Sequence, residues 1–226
     1  MSKNKLAKFA ETETFPNFFQ PSMEELTKGF DKKGRWHDFF ENNNPIVLEL
    51  GCGRGEYTIG LAKFYPEKNF IGMDIKGARM WQGCRFAIDN QMKNVAFLRT
   101  QIDYVNLCFD KGEIEEIWIT FPDPQPKKKN KRLTSLRFLE RYKQCIANHA
   151  KINLKTDSDL LYQYTHMNNT ISFNYLPIYY LEPNTRITID DPNSSIYGDY
   201  IIQSISLPLD ISSTMTISAY KALQKI

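Results

Sequence analysis

Four carboxylates and one amide stand at or just after the ends of short apolar segments: Glu49, Asp74, Gln101, Asp123 and Asp157. Such side chains accept hydrogen bonds from hydroxyl and N–H groups, stabilise a cation, or move a proton. In a parallel sheet covered by helices, ligands bind outside the carboxyl ends of the strands. If the apolar segments are parallel strands, these five side chains are candidate site residues.

A glycine-rich loop, Gly-Cys-Gly-Arg-Gly at residues 51–55, directly follows the apolar segment Ile46–Leu50. A dinucleotide loop would read Gly-x-Gly-x-x-Gly, whereas Glu56 follows the third glycine here and Glu49 precedes the loop. Two flanking carboxylates repel a pyrophosphate but suit S-adenosylmethionine, which carries a sulfonium and an ammonium and no phosphate. We therefore predict S-adenosylmethionine as the cofactor, with Gly51 and Gly53 in contact with it. An NAD(P)-dependent oxidoreductase remains the alternative.

Asp74 ends the apolar segment Asn69–Asp74 and is predicted to accept hydrogen bonds from the ribose hydroxyls of the cofactor. A purely structural interpretation stays open for both acidic residues of this region. In that interpretation Asp74 is a turn residue and Glu49 is a structural cap.

The elements that would position these residues alternate regularly along the chain. Apolar segments predict strands at Ile46–Leu50, Asn69–Asp74, Val95–Leu98, Ile114–Thr120 and Lys151–Lys155. Helical spacing predicts inward faces of Tyr57, Leu61 and Phe64, then of Ala78, Trp81, Cys84, Ile88 and Met92, then of Leu136, Leu139, Tyr142 and Ile146. The alternation predicts an α/β fold, a doubly wound and mostly parallel sheet with helices on both faces. Further strands near Ile171–Leu181 and Tyr200–Leu207 predict antiparallel strands at the C-terminus.

Length and composition agree with one globular domain. The 226 residues are 42% hydrophobic and 24% charged, and no apolar run approaches the ~20 residues of a membrane span. We predict a single domain over 1–226, with an N-terminal extension at 1–45, a donor-binding core at 46–164 and an atypical C-terminal segment at 165–226. Scattered cysteine and histidine predict reduced thiols and no metal site. The expected location is cytoplasmic, with no membrane partner.

Five of the six residues in Lys127–Arg132 are cationic, within a net charge of only +3. Such a run is either a solvated loop or a contact for a polyanion. The run follows Asp123 within a few residues, at the mouth of the predicted donor site. We therefore predict that its cations, Lys127 and Arg132 included, contact RNA phosphates.

Several motifs together resemble the bacterial tRNA (guanine-N7-)-methyltransferases. These are the segment 47–56 with the glycine loop, Phe-Ile-Gly-Met-Asp at 70–74, and Phe-Pro-Asp-Pro at 121–124 followed by lysines. Lys-Arg-Leu-Thr at 131–134 and Lys-Thr-Asp at 155–157 complete the set. The resemblance covers roughly residues 3–164, and the Pro-Asp-Pro loop with its lysines is its most specific part. It implies a tRNA substrate and the class I methyltransferase fold, in a monomer or a homodimer.

The resemblance also implies roles for individual residues. Donor contacts are expected from Glu49, Asp74, Gln101 and Asp123, and substrate contacts from Lys127 and Asp157. Gln101 stands where the family usually has Asp or Asn, and Gln125 where many members have Trp. The basic loop is about two residues shorter than usual and lacks a histidine that many members carry. A non-catalytic RNA-binding relative is a second alternative.

The implied chemistry needs little acid–base work, because guanine N7 has an in-plane lone pair and no proton. A carboxylate from Asp123 or Asp157 can accept hydrogen bonds from guanine N1–H and the N2 amino group and stabilise the cationic product base. We predict these two aspartates as the catalytic residues. Structural roles stay open for both, a turn aspartate between prolines for Asp123 and a helix N-cap for Asp157.

The last third of the chain departs from the family pattern. A Thr-x-Tyr-Glu segment, expected to close over the base, has no good match after residue 164, and the nearest candidate at 195–199 is poor. We expect either a different closing segment or a C-terminus altered by a frame change in the coding sequence.

Overall fold

The computed structural model describes residues 3–158, 161, 170–175, 182–183, 185–191, 196–206 and 214–221. The chain forms two compact units, Met1–Asp157 and Ser158–Ile226, and each is described by itself. The single domain expected over 1–226 stays a prediction.

The first unit is built on a six-stranded, all-parallel sheet. Its strands are β1 (Phe18–Phe19), β2 (Ile46–Leu50), β3 (Asn69–Asp74), β4 (Val95–Arg99), β5 (Ile114–Thr120) and β6 (Ile146–Lys155), in the spatial order β1-β4-β3-β2-β5-β6. The strand order reverses between β2 and β5, which pair directly with Leu50 opposite Ile119. This reversal is the switch point at which sheets of this type bind ligands.

Seven α-helices flank this sheet within the described part of the first unit. They are α1 (Lys3–Thr12), α2 (Met23–Lys28), α3 (Trp36–Phe40), α4 (Glu56–Phe64), α5 (Gly77–Asp89), α6 (Val105–Cys108) and α7 (Leu136–Tyr142). Short 3-10 turns lie at Ile102–Tyr104 and Lys129–Lys131. All five strands predicted from the sequence are present, although β6 begins five residues earlier than predicted, at Ile146.

Two apolar clusters cover the two faces of the sheet. Along β2, Leu48 and Leu50 lie in a cluster with residues of α3, α6 and α7, whereas Val47 lies in a cluster with residues of α4 and α5. Alternate residues of a strand point to opposite faces, so both faces are buried. The predicted α/β sheet with helices on both faces is confirmed.

The buried faces of two helices differ from the predicted ones. On α4 the buried residues are Thr58, Ile59 and Ala62, while the predicted Phe64 is 81% exposed. On α7 the buried residues are Phe138 and Tyr142, while Leu136 and Leu139 are exposed and Ile146 belongs to β6. Both helices are short, so their few apolar residues fit more than one face of a 3.6-residue period.

The second unit contains a four-stranded antiparallel sheet. Its strands are β7 (Thr170–Tyr175), β8 (Arg186–Asp191), β9 (Ile196–Ser206) and β10 (Met215–Lys221), in the order β7-β10-β9-β8. Tyr200, Ile202, Met215, Ile217 and Ala219 form its buried cluster. The predicted antiparallel C-terminal strands are therefore present, in a sheet of their own, while residues 176–181 and 207 of the predicted strands lie outside the described residues. None of the helices described for this chain is long and apolar enough to cross a membrane.

Candidate functional site

The glycine loop leaves open space beside its backbone. Gly51 and Gly53 have φ angles of 78° and 58°, and a Cβ added to either would meet nothing within 4 Å. The Gly51 N–H donates to the Met73 carbonyl over 2.8 Å and so ties the loop to the end of β3. Glycine tolerates positive φ without steric cost, so these two residues let a ligand approach the backbone closely.

Gly55, at the start of α4, is needed for helix packing rather than for ligand access. A Cβ on Gly55 would lie 2.5 Å from the Phe97 ring, so the glycine allows α4 to pack closely on β4. Its φ of 78° further disfavours any other residue.

Asp74 binds the glycine loop with one carboxylate oxygen and the turn after β3 with the other. The Gly53 N–H donates to Oδ2 over 3.0 Å, and the Lys76 N–H donates to Oδ1 over 2.8 Å. Each carboxylate oxygen keeps a second lone pair, and the residue is only half-buried. Asp74 can therefore accept hydroxyl donors from a ligand while it shapes the loop.

Glu49 is buried inside the protein, with only 3% of its surface exposed. Its oxygens accept hydrogen bonds from the hydroxyls of Thr58 on α4 and Thr120 at the end of β5, the latter over 2.6 Å. Burial raises the pKa of this carboxyl, although the two threonine hydroxyls act against the shift. Glu49 thus joins β2, α4 and β5 under the glycine loop, and its donor contact stays a prediction.

Glu49 is expected to make stability depend on pH. Because the pKa of its carboxyl is higher in the folded state than in the unfolded chain, its contribution is full below about pH 4.5 and is lost as pH rises through the folded-state pKa. Urea unfolding from pH 4.5 to 8 should show the parent losing stability relative to Glu49→Gln as pH rises. The exposed Glu24→Gln is the control, and a constant difference between parent and Glu49→Gln would contradict the expectation.

A cavity of about 590 Å³ opens beside the glycine loop. Its walls include Gly51, Asp74 and Gln101, three of the predicted donor residues, together with Gln125 of the Pro-Asp-Pro loop. Glu49, Gly53 and Asp123 are not among its lining residues. The open glycine backbone and the Asp74 carboxylate therefore border a space that fits a nucleoside such as S-adenosylmethionine.

Asp123 lies on an exposed, strained turn after β5. The residues on either side of the Pro-Asp-Pro sequence, Phe121 and Gln125, have φ angles of 46° and 43°. Left-handed backbone at such residues costs about 1–3 kcal/mol each and is concentrated at functional sites. Both Asp123 oxygens accept hydrogen bonds from Gln125, one from its backbone N–H over 3.0 Å and one from its side-chain amide over 2.9 Å.

The cationic run divides into exposed and buried members. Lys127, Lys128, Lys129 and Lys131 are exposed, whereas Arg132 is only 4% exposed. The Arg132 Nε donates to the Pro124 carbonyl over 2.9 Å, directly beside Asp123. The guanidinium therefore supports the Pro-Asp-Pro turn from inside, and its predicted tRNA contact stays a prediction.

An aromatic pair lies beside the same turn. The rings of Tyr57 and Phe121 meet edge to face with centroids 6.0 Å apart, and the Lys155 Nζ lies 5.1 Å and 5.7 Å from them. Phe121 is 49% exposed, so about half of its surface is open to solvent beside the turn. The position of Phe121 directly after β5 was the only sequence signal that it lies near the site. The sequence analysis predicts that Tyr57 faces the core, so it does not predict the contact between the two rings.

Asp157 is exposed, two residues after the end of β6. The Leu161 N–H donates to the Ser158 hydroxyl over 3.4 Å, so Ser158 makes the contact expected of an N-cap. Most of the helix predicted to begin at residue 156 lies outside the described residues. No group of three or more metal-ligating side chains occurs among the residues that the structure describes.

Sequence comparisons place this chain in a known family. The chain matches a family model described as "Putative methyltransferase" over residues 43–188. It is 52% identical over 183 residues to the tRNA (guanine-N(7)-)-methyltransferase of Bacteroides fragilis. The aligned region is 80% of this chain and 72% of that protein. It is 55% identical over 171 residues to the protein of the same name from Porphyromonas gingivalis, covering 74% of this chain and 69% of that one.

This chain belongs to the tRNA (guanine-N(7)-)-methyltransferase family. A third member, from Christiangramia forsetii, is 54% identical over 168 residues, which are 73% of this chain and 75% of that protein. The predicted family is thereby confirmed. Membership of the tRNA (guanine-N(7)-)-methyltransferases does not favour the dinucleotide oxidoreductase that the glycine loop left open.

Proposed function

We propose that this chain transfers a methyl group from S-adenosylmethionine to N7 of a guanine in tRNA. The observation that carries the proposal is the pairing of β2 with β5 at the switch point of a sheet in a chain of this family. That pairing brings the end of the strand before the glycine loop beside the end of the strand before the Pro-Asp-Pro turn. Donor and acceptor sites then adjoin at one edge of the sheet.

The residues beside the cavity support S-adenosylmethionine as the donor. Its ribose hydroxyls would be held by Asp74, its adenine edge by Gln101, and its methionine part would pass the open backbone of Gly51 and Gly53. S-adenosylmethionine supplies a methyl group bound to a sulfonium. A methyltransferase requires a methyl donor, and the carboxylates of Glu49 and Glu56 beside the loop suit a donor that carries no phosphate.

The chain's own residues have to align the acceptor and support a moving charge. The guanine N7 lone pair forms the new bond to the methyl carbon as the sulfur–carbon bond breaks, and the positive charge passes to the purine. Asp123 would accept from guanine N1–H and the N2 amino group, which selects guanine over adenine and stabilises the cation. Asp157 is the second candidate for this role, and neither aspartate needs to act as a base.

The test is methyl transfer to bulk tRNA from tritium-labelled donor, followed by mass analysis of the nucleosides. The proposal expects 7-methylguanosine as the product. Calorimetric titration should detect binding of the methyl donor and none of a nicotinamide cofactor. Donor and tRNA binding without transfer would instead identify a non-catalytic RNA-binding relative.

The four exposed lysines of the cationic run are expected to make tRNA binding depend on salt. If Lys127, Lys128, Lys129 and Lys131 each neutralise one phosphate, replacing them with Gln should reduce the slope of log affinity against log salt by about 2.8–3.6. The control replaces four exposed lysines elsewhere, Lys28, Lys63, Lys93 and Lys111, and should leave most of the slope. Equal slopes for the two variants would return the run to the role of a solvated loop.

We further infer a cytoplasmic location, where a tRNA substrate is present. Whether the chain acts as a monomer or a homodimer stays a prediction, as do the tRNA species and the nucleotide position.

A further inference from the structure

A second pair of cations borders the donor cavity, outside the lysine run. Arg137 and Arg141 lie on α7 and line the same cavity as Gly51, Asp74 and Gln101. Their spacing of four residues puts both on one face of the helix, and their guanidinium groups lie 5.7 Å and 5.9 Å from the ring of Phe138. We call Arg137 and Arg141 the α7 arginine pair.

The α7 arginine pair shares a single carboxylate. Arg137 Nη2 and Arg141 Nη1 lie 2.5 Å and 3.0 Å from the same oxygen of Asp103, in the turn after β4. The Arg141 guanidinium also donates to the Asp103 carbonyl. One negative charge cannot neutralise two guanidinium groups, so this cluster keeps a net charge of +1. Lys131 and Asp74, which line the same cavity, add one charge of each sign, so the charged side chains of the whole lining also sum to +1.

The pair also keeps the means to bind another anion. Each guanidinium carries five N–H donors in a rigid fork, and Asp103 receives one hydrogen bond from Arg137 and two from Arg141. The side chains of Arg137 and Arg141 are 48% and 27% exposed. Arg85 offers a contrast, because this single arginine, 47% exposed, pairs with two carboxylates, Glu11 and Asp89.

We propose that the α7 arginine pair binds a phosphate of the tRNA backbone at the rim of the donor cavity. The planar guanidinium fork matches a phosphate and binds it through paired hydrogen bonds. S-adenosylmethionine carries no phosphate, and its single carboxylate belongs to the methionine part, which the proposed function places along Gly51 and Gly53 rather than at α7. The inference rests on the proposed function, because a tRNA that presents a guanine to the donor must run its backbone past this rim.

The alternative is that the pair only fastens α7 to the turn at Asp103. Two variants separate the two roles, because both remove the ion pairs with Asp103 but only one removes cations. Under the phosphate role, Arg137→Gln/Arg141→Gln should weaken tRNA binding about tenfold or more and reduce the salt slope by about 0.7–0.9. Asp103→Asn keeps both cations and removes their competing anion, so it should bind tRNA at least as tightly as the parent.

The measurement is fluorescence anisotropy of labelled bulk tRNA over a series of salt concentrations, with thermal unfolding of every variant. Arg35→Gln/Arg85→Gln, two exposed arginines paired with their own carboxylates, is the matched control and should stay within about twofold of the parent. If the double variant fails to fold, Arg137→Gln alone carries the same comparison. Equal weakening by Asp103→Asn and the arginine variant, or an unchanged slope, overturns the proposal.

The outcome is independent of the test of the proposed function. A parent chain that methylates tRNA while the arginine variants keep its salt slope refutes the phosphate site alone. A parent chain that binds tRNA without methylating it, with the slope reduced in the arginine variants, refutes the enzymatic proposal and leaves the phosphate site standing.

Discussion

Asp123→Asn is expected to keep the fold and most tRNA affinity and to lower the rate of methyl transfer about 10²–10³-fold, the usual effect of losing one well-placed electrostatic partner. An asparagine keeps one acceptor oxygen, which can still receive the Gln125 N–H that shapes the turn. Its amide has no net charge, however, and it presents a donor to guanine N1–H. The loss should therefore fall on the chemical step.

The measurement is single-turnover transfer at saturating donor and tRNA, since this isolates chemistry from binding. Asp38→Asn, an exposed aspartate paired with Arg35, is the matched control and should transfer at the parental rate. A folded Asp123→Asn protein that stays within about threefold of the parent rules out the role of Asp123 and transfers the assignment to Asp157.

The contacts of Gln125 sharpen this test. Its side-chain amide occupies one oxygen of Asp123 over 2.9 Å, the same kind of contact that a guanine amino group would make. Binding of the base therefore requires the amide of Gln125 to move or to share that oxygen. Gln125→Leu keeps the backbone contact with Asp123 and frees the second oxygen, so it should retain catalysis that Asp123→Asn loses.

Asp74→Ala is expected to weaken S-adenosylmethionine binding by about 10- to 150-fold, the equivalent of 1.5–3 kcal/mol for hydrogen bonds to a charged acceptor. The reason is twofold, because the carboxylate borders the cavity and also receives the N–H groups of Gly53 in the glycine loop and of Lys76 in the turn after β3. Calorimetric titration with the donor measures the effect.

Two further variants separate the effect of Asp74 on the shape of the loop from its contact with the ligand. Asp74→Asn keeps one carbonyl oxygen for the loop, so it should lose less affinity than Asp74→Ala. Asp89→Ala, an exposed aspartate on α5, should bind the donor as the parent does. Parental donor affinity in Asp74→Ala would remove that residue from the donor site.

The positions of the strands along the chain and the glycine loop could be predicted from the sequence, because both depend on local patterns. Four of the five predicted strands begin at the observed residue, and the loop at 51–55 follows β2 as expected. Alternating apolar segments with helices between them leave few arrangements other than a parallel sheet with two covered faces. The edge of the sheet that carries the site follows from the same rule.

Burial and partner choice depended on the tertiary structure. The motif predicts a donor contact for Glu49, which stays a prediction, but it gives no sign that Thr58 and Thr120, distant in sequence from each other, both bind its carboxyl. In the sequence, Arg132 is one cation of a basic run. In the structure it is buried and donates a hydrogen bond to the Pro124 carbonyl, whereas the neighbouring lysines are exposed. A short motif shows which side chain is present, but its burial and its hydrogen-bond partners depend on residues that are distant in the sequence.

The sequence by itself determined the α/β class, the family and the edge of the sheet at which we predict the site, because strand periodicity, glycine spacing and the Pro-Asp-Pro motif are local and specific. Only the tertiary structure decided which charges are buried and which line the cavity. Asp103 reaches Arg137 and Arg141 across more than thirty residues of chain. Contacts over such separations depend on how helices pack against the sheet, and no local pattern encodes them.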